Sequence, residues 1–75
     1  MARYFFDVRD RGRSVRDVFG MELCDEAQAI HETSILIEHL SEVAQAEGRP
    51  GTISVFIRSD RNICLYEAST SLAGD

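Results

Sequence analysis

The sequence predicts an α+β domain: a four-stranded antiparallel sheet with one helix packed on one face, in the order β-β-α-β-β. Three observations carry this. Runs rich in aromatic and β-branched residues stand near both ends, at residues 3–9 and 52–58. A turn signature follows each run, Arg9-Asp10-Arg11-Gly12 in one case and Arg58-Ser59-Asp60-Arg61-Asn62 in the other. Between the two hairpins lies a stretch without Pro or Gly, residues 26–47, whose apolar residues follow a helical period.

The first strand, residues 3–9, would point Tyr4, Phe6 and Val8 to one side and Arg3, Phe5 and Asp7 to the other. At its turn, Asp10 can accept a backbone hydrogen bond from two residues on while Gly12 supplies positive φ, which fits a type I turn followed by a left-handed residue. The return strand, residues 13–18, is polar and suits a sheet edge. Gly20 ends it.

Asp25 reads as the helix N-cap, with Gln28 completing a capping-box-like pair. Ala29, Ile30, Thr33, Leu36, Ile37, Leu40, Val43 and Ala44 then form one stripe about 140° wide, and Gln28, His31, Glu38 and Glu42 fall opposite. Gly48 is the expected C′ residue and Pro50 confirms the stop. A helix of this span would be about 33 Å long against about 23 Å for a seven-residue strand, so either its ends fray or it overhangs the sheet, and an overhang could seat a second subunit. Residues 52–58 form the second strong strand, with Ile53, Val55 and Ile57 toward the helix. Asp60-Arg61-Asn62 repeats the turn logic, residues 63–69 form the last strand, and residues 69–75 read as a fraying tail. If the hairpins meet through their strong strands the order is 2-1-3-4; the order 2-1-4-3 stays open.

Size and composition restrict function. Seventy-five residues with 44% apolar content support one domain and a small core. The early charges and the unpaired spacing of Cys24 and Cys64 lead us to expect a cytosolic chain with reduced thiols, no secretory signal and no membrane span. Net charge is −5 but segregated: residues 1–21 carry five Arg against three Asp, and residues 22–48 carry seven acids and no Lys or Arg.

Catalytic and metal chemistry find little support. His31 and His39 are separated by about 80° and about 12 Å on a helix, too far to share a metal. Cys24 and Cys64 lack the spacing of a zinc or redox motif; Cys64 reads as a packing residue and Cys24 as one resting on the helix start. Asp7 and Asp17 can face each other across the first hairpin, but surface pairing with Arg9, Arg13 or Arg16 accounts for them. The glycines match no phosphate-binding loop. We therefore expect no catalytic, metal-binding or cofactor-binding residues.

The feature closest to function is the sheet face away from the helix. Phe5 and Phe56 fall there, with Cys64 or Tyr66 joining according to the register of the last strand, and Arg3, Arg9, Arg13 and Arg58 can rim them. Ile35 and His39, on a helix flank outside the main stripe, can extend a contact surface. An aromatic centre with a polar rim suits protein contact, most simply self-association. Stacking rings among arginines also imitate a nucleic-acid surface, although Asp7, Asp17 and the limited excess of base weigh against it.

The opening Arg3-Tyr4-Phe5-Phe6-Asp7-Val8, the turn at Asp10 and Gly12, the Asp17…Gly20…Glu22-Leu23…Asp25 approach, and Val55…Ile57-Arg58…Asp60 resemble a family of small uncharacterised bacterial proteins common in rhizobia and related alphaproteobacteria. Its members read R-Y-F-F-D, then D-x-G, then D-x-x-G-x-E-L-x-D into an Ala-rich helix, then a V-x-V-x-D hairpin. Cys24 stands where Pro or a small residue is usual, and Asn62 beside a usual turn Gly. The resemblance implies two hairpins around a helix and no established activity. It also looks broadly like small α+β modules of some antitoxins and RNA-binding proteins. The expectation is a cytosolic, non-catalytic interaction module acting as a homodimer through the sheet face or helix flank; the alternative is a nucleic-acid-contacting regulator of the antitoxin kind.

Overall fold

A computed structural model describes residues 1–72. It contains β1 (Ala2–Asp10), β2 (Arg13–Val15), β3 (Met21–Leu23), α1 (Glu26–Ala46), β4 (Gly51–Ser59) and β5 (Cys64–Leu72). The strands form one antiparallel sheet in the order β2-β1-β4-β5, with β3 also paired to β1. The two strong strands do meet at the centre, in the 2-1-3-4 arrangement of the hairpins.

The sheet has five strands rather than four because the expected return strand, residues 13–18, stops at Val15 and the chain rejoins β1 beyond Gly20, at Met21–Leu23. β2 pairs Val8 with Val15, and β3 pairs Tyr4 with Met21. Between these pairs lie three residues of β1 but five of the returning chain, 16–20, so two residues have no ladder position and bulge outward. The sequence shows the polar return strand but not where its register breaks.

The helix forms as its sequence dictates. The Asp25 carboxylate accepts from the Gln28 N–H at 2.9 Å, and the Gln28 side chain accepts in turn from the Cys24 N–H at 2.8 Å. At the other end Gly48 takes φ 68°, the Arg49 N–H donates to Ala44 O and the Gly48 N–H to Gln45 O, a Schellman stop. Ala29, Thr33 and Ala44 are buried, and Gln28, His31, Glu38 and Glu42 are exposed. Thr33 lies in the core because its hydroxyl donates back to Ala29 O at 3.0 Å.

Ile53, Val55 and Ile57 are fully buried beneath α1, and Tyr4, Leu23, Ala29 and Ile57 form the centre of the core, with Phe6 and Ile30 packed against it. Neither a frayed nor an overhanging helix is required. The main strands run nine residues, about 30 Å, and α1 runs 21, about 31 Å. β5 reaches Leu72, so residues 69–72 belong to a strand rather than a tail; residues 73–75 lie outside those described.

The two turns differ. Arg11 and Gly12 both have positive φ and Asp10 pairs with Arg13, the pattern of a two-residue type I′ loop in place of the expected type I. The Asp10 side chain lies instead at 3.2 Å from Arg49 and 3.4 Å from Arg11. In the second turn only Asn62 is left-handed, and the Ser59 hydroxyl rather than Asp60 accepts from the N–H groups of Arg61 and Ile63.

Candidate functional site

Two surfaces outside the core carry the candidate residues, and the sheet register sorts them. On the uncovered face, Phe5 lies opposite Arg58, Asp7 opposite Phe56 and Arg9 opposite Ser54. Arg3, Phe5, Arg9, Phe56 and Arg58 therefore share this face, as expected. Arg13 does not: it pairs with Asp10, which pairs with Ile53 on the helix side. Tyr66 does not either, because it lies opposite Ile57. An irregularity between Ile57 and Arg58 brings Cys64 to the open face instead. Cys64 is exposed rather than a packing residue, and both cysteines are free.

Arg58 organises this face. Its Nε donates to Asp7 Oδ2 at 2.9 Å and its Nη2 to Asp7 Oδ1 at 3.3 Å and to the Asp17 carbonyl at 2.9 Å. Its guanidinium carbon also sits 4.6 Å from the Phe5 ring centroid. Arg9 covers Phe56 at 5.7 Å. Arg3 donates to the Phe19 carbonyl at 2.7 Å and to Glu22 at 3.1 Å. The arginines expected to form a free rim are thus engaged within the molecule.

Asp17 does for the bulge what a ladder partner does elsewhere. Its carboxylate accepts from the Phe6 N–H at 3.1 Å, the Phe19 N–H at 3.1 Å and the Gly20 N–H at 3.0 Å, and its own N–H donates to Asp7 Oδ1 at 2.9 Å. Gly20 has φ 71°, and a Cβ there would stand 2.9 Å from Arg3 Cγ and 2.9 Å from Phe5 Cε1. The Asp17-x-x-Gly20 spacing is therefore a bulge device, not a binding motif. Among the described residues none of Arg9, Arg13 and Arg16 forms an ion pair with Asp7 or Asp17, although the charge of Arg16 helps to lower Asp7; Arg58, from the far hairpin, and backbone N–H groups hold the two carboxylates.

Burial alone would raise both carboxyls. Hydrogen bonds outweigh it, from Arg58 and the Asp17 N–H at Asp7 and from the Gly20, Phe6 and Phe19 N–H groups at Asp17, so both lie below their ordinary value. The hydrogen bond to Asp7, against partial desolvation, raises Arg58 above its own. These groups are charged, saturated and fixed, which suits structure and not proton transfer. Among the described residues no three of His, Cys, Asp and Glu are grouped to hold a metal ion.

The second surface is a groove of about 710 Å³ between the flank of α1 and the bulged edge of the sheet. Glu32, Ile35, Leu36 and His39 line its helix wall; Val15, Arg16, Val18, Phe19 and Met21 line the other; Phe6 and Val8 form its floor. It exists because α1 packs mainly over β4 and β5, leaving the outer part of β1 half-covered. Its rim is apolar and solvent-facing: Phe19 is 82% exposed, Val18 71%, Val15 66%, Ile35 51% and Met21 45%. With Asp17 turned inward, Val18 and Phe19 are carried outward.

Ile35 and His39, the expected flank residues, do come together here. Val15, Val18, Phe19 and Met21 were not foreseen as partners. Their one sequence signal is the pair Val18-Phe19 between two polar breakers, Asp17 and Gly20, where a strand cannot bury it.

No described helix is long and apolar enough to cross a membrane. Comparison with curated proteins and with solved structures gives no match. A family model does match residues 3–71, nearly the whole chain and all the motif residues placed above. The chain belongs to the family described as a domain of unknown function, DUF6894.

Proposed function

We propose that this chain is a non-catalytic, cytoplasmic contact module that engages protein through the groove beside the helix flank. The observation that supports it is the set of five large apolar side chains, Val15, Val18, Phe19, Met21 and Ile35, exposed around one concavity next to a core complete without them. Isolated exposed apolar residues are ordinary; a contiguous group around a groove is the usual form of a contact surface.

Of the two surfaces, the helix flank has the stronger support. Phe5 and Phe56 are each covered by an arginine, and Arg3 and Arg58 are bound to Glu22 and Asp7. The same engagement weakens the nucleic-acid alternative, since phosphate contact needs free bases and this face also carries Asp7 and Glu67. The saturation of Asp7 and Asp17 supports the non-catalytic reading, and the two free cysteines support a reducing compartment.

The test is Val18→Ser with Phe19→Ser. If the groove serves contact, the double variant unfolds within about 0.5 kcal/mol of wild type while binding of an apolar dye falls sharply. A loss of more than about 2 kcal/mol would mean that the side chains serve the fold and would overturn the reading.

A further inference from the structure

We infer that two copies of this chain join through the free edge of β5, which pairs antiparallel with itself about a twofold axis at Ala68, so that one sheet runs through both copies and their helices pack side by side above it. This contact goes beyond the groove, which lies on the other flank of α1 and stays open.

The two edges of the sheet are built differently. One is divided between β2 and β3, three residues each, with the chain bulging outward between them. Short and bulged edge strands keep other strands from adding. The opposite edge is β5, nine residues long and, among the described residues, paired only with β4. It carries no Pro, Lys or Arg, and its one charge is Glu67. About half of its residues turn backbone N–H and C=O groups outward, a template for another strand.

The position of α1 selects a second copy over an unrelated strand. The helix packs on β4 and β5 alike, so its axis stands above the space between them. A twofold axis half a strand spacing beyond β5 is then about 5 Å from the helix axis. The two helices come to lie about 10 Å apart, the distance at which helices pack in contact. A strand arriving without a helix would pair the edge and leave that flank of α1 uncovered.

The flank is fitted to such a neighbour. Glu32, Ile35, Leu36 and His39 mark the side of α1 that faces the groove. By the helical period the opposite side is Ile30, Ser34, Ile37 and Ser41, and Glu32, Glu38 and Glu42 fall outside it. Ser34 and Ser41 donate back to the carbonyls of Ile30 and Ile37, at 3.3 and 2.7 Å, so covering them leaves no hydroxyl without a partner.

The levels of strand and helix agree as well. Ala29 and Ile30 pack at Ile57, which is paired with Tyr66. Ala68 lies about 7 Å further along β5, or roughly five helical residues. An axis at Ala68 therefore passes between Ser34 and Ile37. It sets Ile30 against Ser41 of the other copy and Ser34 against its Ile37, large against small at each level. In the strands it sets Tyr66 opposite Thr70, an aromatic and β-branched pair, and Glu67 opposite Ser69 rather than opposite its own copy.

Nine residues of β5 and one flank of α1 make a smaller contact than the roughly 20–30 residues per side of a standard interface. The dimer should be reversible, with a Kd on the order of 10 µM.

The experiment is light scattering and sedimentation equilibrium on the whole chain over about 1–500 µM. Wild type should pass from monomer to dimer across this range. Ser34→Glu, exposed in the single chain, should keep its thermal midpoint and weaken association by about tenfold or more, because it places a charge between the helices. Ser69→Glu should weaken association about tenfold and Ser69→Lys should strengthen it, since each faces Glu67 of the other copy. Phe19→Ser should leave association unchanged.

A wild type that stays monomeric overturns the inference. So does a dimer that Phe19→Ser dissolves and Ser69→Glu does not, since association would then run through the groove. Equal effects of Ser69→Glu and Ser69→Lys overturn the register, and a dimer indifferent to Ser34→Glu overturns the packing of the helices. If Ser34→Glu fails to fold, the opposite effects of the two Ser69 variants decide alone.

Discussion

The uncovered sheet face and the groove present aromatic and charged residues alike, yet they are finished in opposite ways. On the sheet face each aromatic ring has a guanidinium over it, and Arg3 and Arg58 have carboxylate partners. In the groove the apolar side chains of the rim face solvent without such cover. A surface satisfied from within gains little from a partner; one left unsatisfied gains apolar burial. Aromatic residues rimmed by arginine therefore do not by themselves mark an interface. What matters is whether the rim is already occupied.

The comparison breaks most readily at Asp17. Asp17→Ala leaves three backbone N–H groups without their acceptor and should cost about 2–3 kcal/mol in chemical denaturation. The groove should loosen with it, since the bulge holds its outer wall; a near-neutral effect would mean that water replaces the carboxylate without loss. Gly20→Ala is next. Its positive φ and the crowding by Arg3 and Phe5 should cost about 2 kcal/mol, measured in the same way.

Acid should act on the satisfied face through the same carboxyls. Asp7 and Asp17 both titrate below their ordinary 3.8 when folded, so on acidification the unfolded chain takes up their protons first. Their contribution is complete above that ordinary value and is lost as pH falls through the lower folded-state values. Thermal midpoints followed from pH 5 down to about 2 should fall below about pH 4, and less steeply in Asp17→Asn. An unchanged slope in that variant would show that Asp17 is not one of the groups responsible.

The smallest effects sharpen the contrast. Phe56→Ala should cost about 1 kcal/mol, from partial burial and the lost contact with Arg9, and leave binding of an apolar dye intact. Phe19→Ser should fall within about 0.5 kcal/mol of wild type in stability and nevertheless weaken binding of an apolar dye. Opposite results for these two phenylalanines, with Phe56 controlling dye binding, would exchange the roles assigned to the two surfaces.

The helix was legible because its signals are local. Asp25, Gln28 and Gly48 cap it from within a few residues, and the apolar stripe needs only the helical period. The strong strands and their burial at Ile53, Val55 and Ile57 were legible for the same reason. The candidate site was legible only in part. Ile35 and His39 could be placed on a flank by angle alone, but nothing near them in sequence indicates that Val18 and Phe19 lie across the groove. Arg13 and Tyr66 were misplaced because a strand's face depends on its register, and the two-residue loop and the β5 irregularity each moved that register.

The sequence by itself determined the α+β class, the hairpin-helix-hairpin order, the helix ends and the residues that could form a core. All of these follow from backbone preference and periodicity over short separations. Tertiary structure alone decided that Arg58 would hold Asp7 from 51 residues away, that Asp17 would turn inward at a bulge, and that α1 would settle over β4 and β5. These outcomes depend on which strands meet and in what register, a competition settled by packing of the whole chain. The groove and its apolar rim are what that packing leaves exposed.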